Sequence, residues 1–402
     1  MQSDSKHILY MGLGIGCISI LYFLSLIAGL PIFVIAPVII TALVFLYRWL
    51  NKEYQPPVQN SIWRMAILAI GLVLIADKAD GLVEKHGQWD AWAIWNLHAR
   101  YLADPAYWQN MFQNTEHAHP DYPLALPATI AFFSRLAGGF HLLIPYTLHV
   151  VVMLCVPVLI FTETYRKGLL VASLALLLFV TNDMYITQGV SQMADTMLAF
   201  FFLAAFVCFD YARENRQMII LSSAFLGLCM WTKNEGIMLV LVFVLFNARI
   251  FMLEWKRLLY GIGLPFIALL IFKMGYAPAN DLVTRQSADT LDNITDWERY
   301  QQIYRSWIDT INEHYKTLKY LVVLYLFYCL LRRKLPDKRF LMILACLAGY
   351  FMIYIFSHQD LEWHLFTSAH RLLHQLMPVI VYVFANKFAN MGNKGAFQVV
   401  RM

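Results

Sequence analysis

Apolar runs about as long as a bilayer is thick recur from one end of this chain to the other, and no other feature restricts its fold as much. Twelve such segments stand out, at about 8–30, 31–48, 61–77, 140–164, 168–182, 195–212, 217–233, 235–251, 258–275, 319–332, 339–357 and 371–388. A helix needs roughly 20 apolar residues to cross a hydrocarbon core of about 30 Å. Inside that core every backbone N–H and C=O must be satisfied within the segment, so helices are the expected solution. Composition agrees, with 14% charged residues and 60% hydrophobic ones, where a soluble domain carries about 25% charged residues. Mean hydropathy is +0.55. The fold class predicted is all-α, a polytopic transmembrane bundle of about 11–13 spans in a single domain, residues 1–402.

The basic residues act as topology signals. The net charge of +5 does not point to nucleic acid, because most Lys and Arg sit in short loops between runs. Residues 124–138 form a short apolar segment that sets the parity of every later span. If it re-enters without crossing, the clusters Arg48/Lys52, Arg166/Lys167, Arg213/Arg216, Arg249/Lys256/Arg257, Arg332 to Arg339 and the tail with Lys387, Lys394 and Arg401 share one side. The positive-inside rule then puts that side in the cytoplasm. The 77–123 and 276–318 loops, the 182–195 turn and the 357–370 connection go to the opposite face. The first run is too long for a signal-peptide core and reads as a retained span. All six cysteines lie inside apolar runs, so no disulfide framework and no cysteine metal site is expected.

The 77–123 loop carries more chemistry than a connection needs. It holds acids from Asp77 to Asp121, the histidines His86, His98, His117 and His119, and four tryptophans. Trp89 to Ala103 reads as a short interfacial helix, with Trp89, Trp92 and Trp95 at helical spacing and Asp104-Pro105 ending it. These rings serve equally as a membrane-interface belt. Asp90 stands at the helix start, where it serves as an N-cap or as a general base. Arg100 follows on the same helix. His119-Pro120-Asp121-Tyr122-Pro123 brings a second acid back to the surface on a stiff return. Asp195 opens a long span, again as cap or as functional acid. Trp231-Thr232-Lys233-Asn234-Glu235-Gly236 interrupts an apolar run with a Lys and a Glu, which are costly there unless paired or near water. Arg371, just inside the last run, reads as an anion binder, with His374 one turn on. No HExxH, CxxC, DxD, Walker A, GxGxxG or GxSxG pattern occurs.

Taken together, GQWDAWAIWNLHARYL (87–102), HPDYPLALP (119–127), SQMADTMLAFFFLA (191–204), WTKNEG (231–236) and TSAHRLLHQLMP (367–378) resemble the GT-C superfamily of integral-membrane glycosyltransferases. Protein O-mannosyltransferases and aminoarabinose transferases are the nearest in type. The resemblance implies a sugar donor on polyprenyl phosphate and a lipid, glycan or protein acceptor. It implies an active site on the periplasmic face of a bacterial inner membrane, with Asp90 as the catalytic acid of loop one. Lys233 and Arg371 then stand toward the donor phosphate, with Arg100 a third candidate from its place on the Asp90 helix, and Trp89, His119, Asp121, Tyr122, Asp195 and Glu235 are the candidate substrate-binding groups. Many members pair two acids in loop one, whereas Ala91 and Trp92 follow Asp90 here. A divalent metal is therefore left open, with no ligand set named. Two other readings stand beside this one. A transporter or flippase would show repeats and mid-membrane polar breaks. A polyprenyl-diphosphate glycan polymerase or ligase would use Arg285, Arg299 and Arg305 of the second loop.

Overall fold

The computed structural model describes residues 3–52, 61–82, 85–113, 118–165, 167–279 and 289–399. Glu84, Glu116, His117, Arg166, Arg285 and Arg401 lie outside them, as does the side chain of Lys394. The chain runs through α1 (Ser3–Ile27), α2 (Ile32–Lys52), α3 (Ile62–Leu82), a π-helical turn (Ala91–Trp95), α4 (Asn96–Leu102), α5 (Asn110–Gln113), α6 (Ala125–Leu136) and α7 (Leu143–Tyr165). Then come α8 (Leu169–Val180), α9 (Asp183–Val190), α10 (Ala194–Asp210), α11 (Met218–Thr232), α12 (Glu235–Phe246), α13 (Ala248–Leu253) and α14 (Trp255–Gly275). The last are α15 (Asp289–Thr295), α16 (Trp297–His314), α17 (Lys316–Leu331), α18 (Lys338–Phe356) and α19 (Leu361–Val399). The fold is all-α.

Each of the twelve predicted segments is helical over most of its length. Six helices among the described residues are long and apolar enough to cross a membrane alone: Ser5–Ile27, Ile32–Asn51, Leu143–Tyr165, Ala194–Arg213, Trp255–Gly275 and Lys338–Phe356. Counting the pair α8 and α9, bent by 66°, as one gives seven. The rest are shorter or more charged than the run lengths suggested. A 12-residue helix such as α12 rises about 18 Å, well short of a hydrocarbon core. The core is centred on α10, which is buried along nearly its whole length against α7, α11 and α19.

The chain enters and leaves segment 124–138 at the same end of the bundle. Just before α6, Asp121 meets Asn234 and Lys273. Just after it, His149 near the start of α7 meets the Met193 carbonyl. Both partners lie at the same end of the bundle. Between those points Thr129 reaches the Ile15 carbonyl at 3.5 Å, and Phe132 packs edge-on to Tyr22. The short helix thus dips beside α1 and returns.

That parity places polar side chains at two opposite ends. At one end Ser5 and Tyr211 donate to Glu163, Arg339 and Tyr382 to Asp210, Lys387 to Asp337 and Lys167 to Asn386. These residues come from the regions that the basic clusters grouped together. The other end gathers residues 85–113 and 118–123, the 191–195 turn, the 233–235 break, α16 and the start of α19.

Helices α11 and α14 pack closely along each other. A Cβ on Gly261 would sit 2.2 Å from the Ile220 carbonyl oxygen and 2.7 Å from the Ser223 Cβ. The first neighbour is backbone and cannot swing aside. Gly261→Ala is therefore expected to push α14 off α11 and destabilise the protein by about 1–3 kcal/mol, the usual cost of overpacking. A thermal melt in detergent checks this, and an unchanged midpoint would contradict the tight crossing.

Candidate active site

Loop one is locked onto the turn before α10. Gly87 adopts φ +79°, and a Cβ there would lie 2.7 Å from the Ala91 Cβ and 2.8 Å from the Ser191 carbonyl. Such a backbone favours glycine. Gln88 N–H donates to that same carbonyl, Asn96 donates to Gln192, and Gln192 donates to the Lys85 carbonyl. This clamp fixes Asp90 at the head of a π-helical turn, a geometry often found at functional sites.

Asp90 is not a cap, for its side chain makes no capping hydrogen bond. Arg371 Nη1 instead donates to its Oδ2 at 2.5 Å, across 281 residues of sequence. Asp195 is not a cap either. It is fully buried and accepts from Lys233 Nζ at 2.9 Å, Arg371 Nη2 at 3.1 Å, Arg371 Nε at 3.2 Å and Gln375 Nε2 at 2.5 Å. Lys233 also pairs with Glu235 Oε1 at 2.9 Å. Three acids and two bases thus form one network. A Lys–Glu pair in a solvated hairpin would be exposed, but the Lys233 side chain is 4% exposed. Burying such charges is tolerable because each is paired.

His119, Asp121 and Tyr122 stand beside this network. His119 has φ +51°, a left-handed backbone for a non-glycine residue. Its ring stacks on Tyr122 at 4.6 Å, and Trp95 stacks on Tyr122 at 5.4 Å. Lys233 lies 5.9 Å from the Tyr122 ring centre. Asp121 accepts from Asn234 at 2.8 Å and lies 3.4 Å from Lys273 Nζ. The tryptophans divide: Trp95 is buried in this stack, while Trp89 and Trp92 are exposed and touch edge to face.

A cavity of about 1850 Å³ opens over the network. Trp89, Asp90, His119, Asp121, Tyr122, Lys233, Glu235 and Arg371 all line it. Asp195 is not among its lining residues and sits behind Arg371 and Lys233. Arg100 does not join the site. It is exposed, with its guanidinium 4.6 Å from the Phe140 ring centre. A π-helical turn and most of α4 separate it from Asp90, and it faces Phe140 rather than the cavity. Among the described residues no three His, Cys, Asp or Glu side chains are grouped to hold a metal ion.

The far wall of the cavity is a helix inside the segment expected to be the second outer loop. It is α16, whose Ile303 and Trp307 are buried while Gln301, Gln302, Arg305 and Asp309 line the cavity. Its signal is present in the sequence: Ile303, Trp307 and Ile311 recur every fourth residue, and Asp296 caps the start by accepting from Glu298 N–H. Of the three second-loop arginines, Arg305 lines the cavity, Arg299 is spent on the Tyr354 and Ser357 carbonyls, and Arg285 is outside the described residues. Sequence reasoning misses α16, and with it the site residues Gln375, Asn234 and Lys273.

His364 and His370 line the same cavity, and burial pushes each down to about 4 from the usual 6.5. Both therefore take up protons in the unfolded chain before they do so in the folded one. Their contribution to stability is present above pH 6.5 and is lost as pH falls toward 4. The melting midpoint should drop between pH 7 and pH 5, and His364→Gln should flatten that drop. A variant whose drop equals the wild type's would show that His364 does not titrate this way.

Residues 147–274 match the family model described as dolichyl-phosphate-mannose-protein mannosyltransferase. That is about a third of the chain. The matched stretch includes Asp195, Lys233 and Glu235 but neither Asp90 nor Arg371. The similarity supports a membrane glycosyltransferase whose donor sugar is carried on a polyprenyl phosphate. No curated protein and no solved structure matches the chain.

Proposed function

We propose that this protein transfers a sugar from a polyprenyl-phosphate donor to an acceptor hydroxyl or amine, with Asp90 as the general base. The reading rests above all on Asp90 and Arg371 opening onto the same large cavity while Asp195 holds Arg371 from behind. A base and a fixed cation in one pocket are the two parts that displacement at an anomeric carbon needs. The acceptor gives its proton to the Asp90 carboxylate. Its oxygen or nitrogen forms a bond to the anomeric carbon as the bond from that carbon to the phosphate oxygen breaks. The polyprenyl phosphate leaves with the electron pair, and attack from the opposite face inverts the configuration. Arg371 and Lys233 stabilise the departing phosphate, and the His119–Tyr122–Trp95 stack shapes one wall. Nucleotide sugars are lacking at a periplasmic face, so a lipid-borne donor suits a site on that side of a bacterial inner membrane. The basic residues gathered at the opposite end of the bundle favour that orientation.

Gathering of ionisable groups at the two ends of the bundle, rather than at mid-bundle, weighs against a transporter. The two described arginines of the second loop are not placed as a pair for a diphosphate glycan, which weighs against a polymerase or ligase. Mass spectrometry of lipids that copurify in mild detergent, followed by a transfer assay with any donor found, tests the proposal. A polyprenyl-phosphate sugar is the expected lipid. A polyprenyl-diphosphate glycan would shift the reading to a polymerase or ligase. Bulk phospholipid alone, with no turnover of an added polyprenyl-phosphate sugar, would contradict the transferase.

A further inference from the structure

Arg371 is held from two sides in unequal ways. Asp195 takes its Nε and Nη2 edge, from a position that is fully buried and off the cavity. Asp90 takes Nη1 from the cavity side, and its side chain is 20% exposed. The inner contact is shielded from solvent and sets the plane of the guanidinium. The outer one is made by a partly solvated carboxylate on the surface that a substrate must approach. Lys233 is neutralised too, by Asp195 behind it and Glu235 beside it. The two cations proposed to meet the donor phosphate are thus both engaged by carboxylates in the unliganded protein.

We infer that the Asp90–Arg371 ion pair is an exchangeable latch: the donor's phosphate displaces Asp90 from Arg371, and only the displaced carboxylate is free to take the acceptor's proton. This rests on the transferase reading above and adds an order of events to it. Arg371 is suited to the exchange because a guanidinium presents several donors in a planar fork and binds phosphate as readily as carboxylate. With Asp195 fixing one edge, the change of partner at Nη1 needs no reorientation of the arginine. General-base work asks for a carboxylate whose charge is not already neutralised by a cation. A donor that must arrive before the base is released also keeps the base idle when only acceptor or water is present.

The latch has a direct binding consequence. Asp90 competes with phosphate for Arg371, so removing its charge should tighten phosphate binding, although the same change removes the base. Farnesyl phosphate in detergent micelles is the probe, titrated calorimetrically against wild type, Asp90→Asn and Asp90→Ser. Either neutral variant that folds, as judged by gel filtration and melting, should bind at least tenfold more tightly than wild type. Glu298→Gln removes a carboxylate that lines the same cavity but has no contact with Arg371. It should change the affinity less than twofold. Adding Arg371→Gln to Asp90→Asn should abolish the gain.

Equal or weaker binding by the Asp90 variants overturns the latch. So does an equal gain in Glu298→Gln, which would reveal only a general charge effect. Neither result touches the transferase reading. Absence of farnesyl phosphate binding to every protein, wild type included, overturns the donor assignment itself and the latch with it.

Discussion

Arg371→Lys is expected to fold but to lose most of the proposed transfer activity, by about 10²–10³-fold, while Arg371→Gln should lose both activity and stability. The reasoning starts from the partners. Arg371 bridges two carboxylates on separate parts of the chain, Asp90 at 2.5 Å and Asp195 at 3.1 Å. A glutamine in its place leaves two acids facing one another with Lys233 as the nearest cation. Breaking one partner out of a buried ion pair typically costs about 3–5 kcal/mol. Lysine restores the charge but has no fork, so it cannot hold Asp195 with one edge and offer another to a phosphate. Loss of one oriented donor to a developing negative charge costs about 10²–10³ in rate. Arg100→Ala, on the same reasoning, leaves both rate and melting point near wild type, since Arg100 is exposed outside the cavity. Initial rates and melts of the three variants settle it. Wild-type turnover by Arg371→Lys would remove this arginine from the mechanism.

How much of this was legible in the sequence depends on the kind of signal each residue leaves. Helices were legible because apolar run length is a one-dimensional property. Their lengths were less so: the break at Lys233-Asn234 falls where the 217–233 and 235–251 runs divide, but α12 ends at Phe246, short of the run that holds it. The reading of segment 124–138 hung on basic residues elsewhere, and in the structure the residues on either side of it, Asp121 and His149, meet partners at the same end of the bundle. Asp90, Lys233 and Arg371 could be singled out because each is an ionisable group at an apolar boundary, costly unless it has a partner.

The partners themselves were not legible. Nothing local links position 90 to position 371, and Asp195 reads as a helix cap until Arg371 and Gln375 are seen against it. Arg100 erred in the opposite direction, for sharing a helix with Asp90 said nothing of which way it faces. Helix α16 was overlooked because its apolar residues are few. Its amphipathic period was readable, but its polar face gained meaning only once the cavity lay beside it.

Asp90→Asn and Asp195→Asn should separate chemistry from architecture. Asparagine is nearly isosteric with aspartate but does not accept a proton at neutral pH. At position 90 the change removes one charge from a partly exposed pair, and Arg371 remains held by Asp195. The two side chains are only 12% and 20% exposed, but the asparagine amide oxygen can still accept from Arg371, so the melting point should fall far less than when a buried partner is lost outright. Loss of a general base costs about 10²–10⁴ in rate. The expected signature is a large fall in turnover with an intact fold. At position 195 the same change withdraws a fully buried anion from beneath two buried cations. Lys233 keeps Glu235 and Arg371 keeps Asp90, but both lose their common anchor, and the expected signature is a lowered melting point together with lost activity. The two variants thus differ in stability rather than in rate. If Asp90→Asn transfers sugar at the wild-type rate while folding normally, Asp90 is not the base. If Asp195→Asn melts with the wild type, Asp195 is not the anchor of the network.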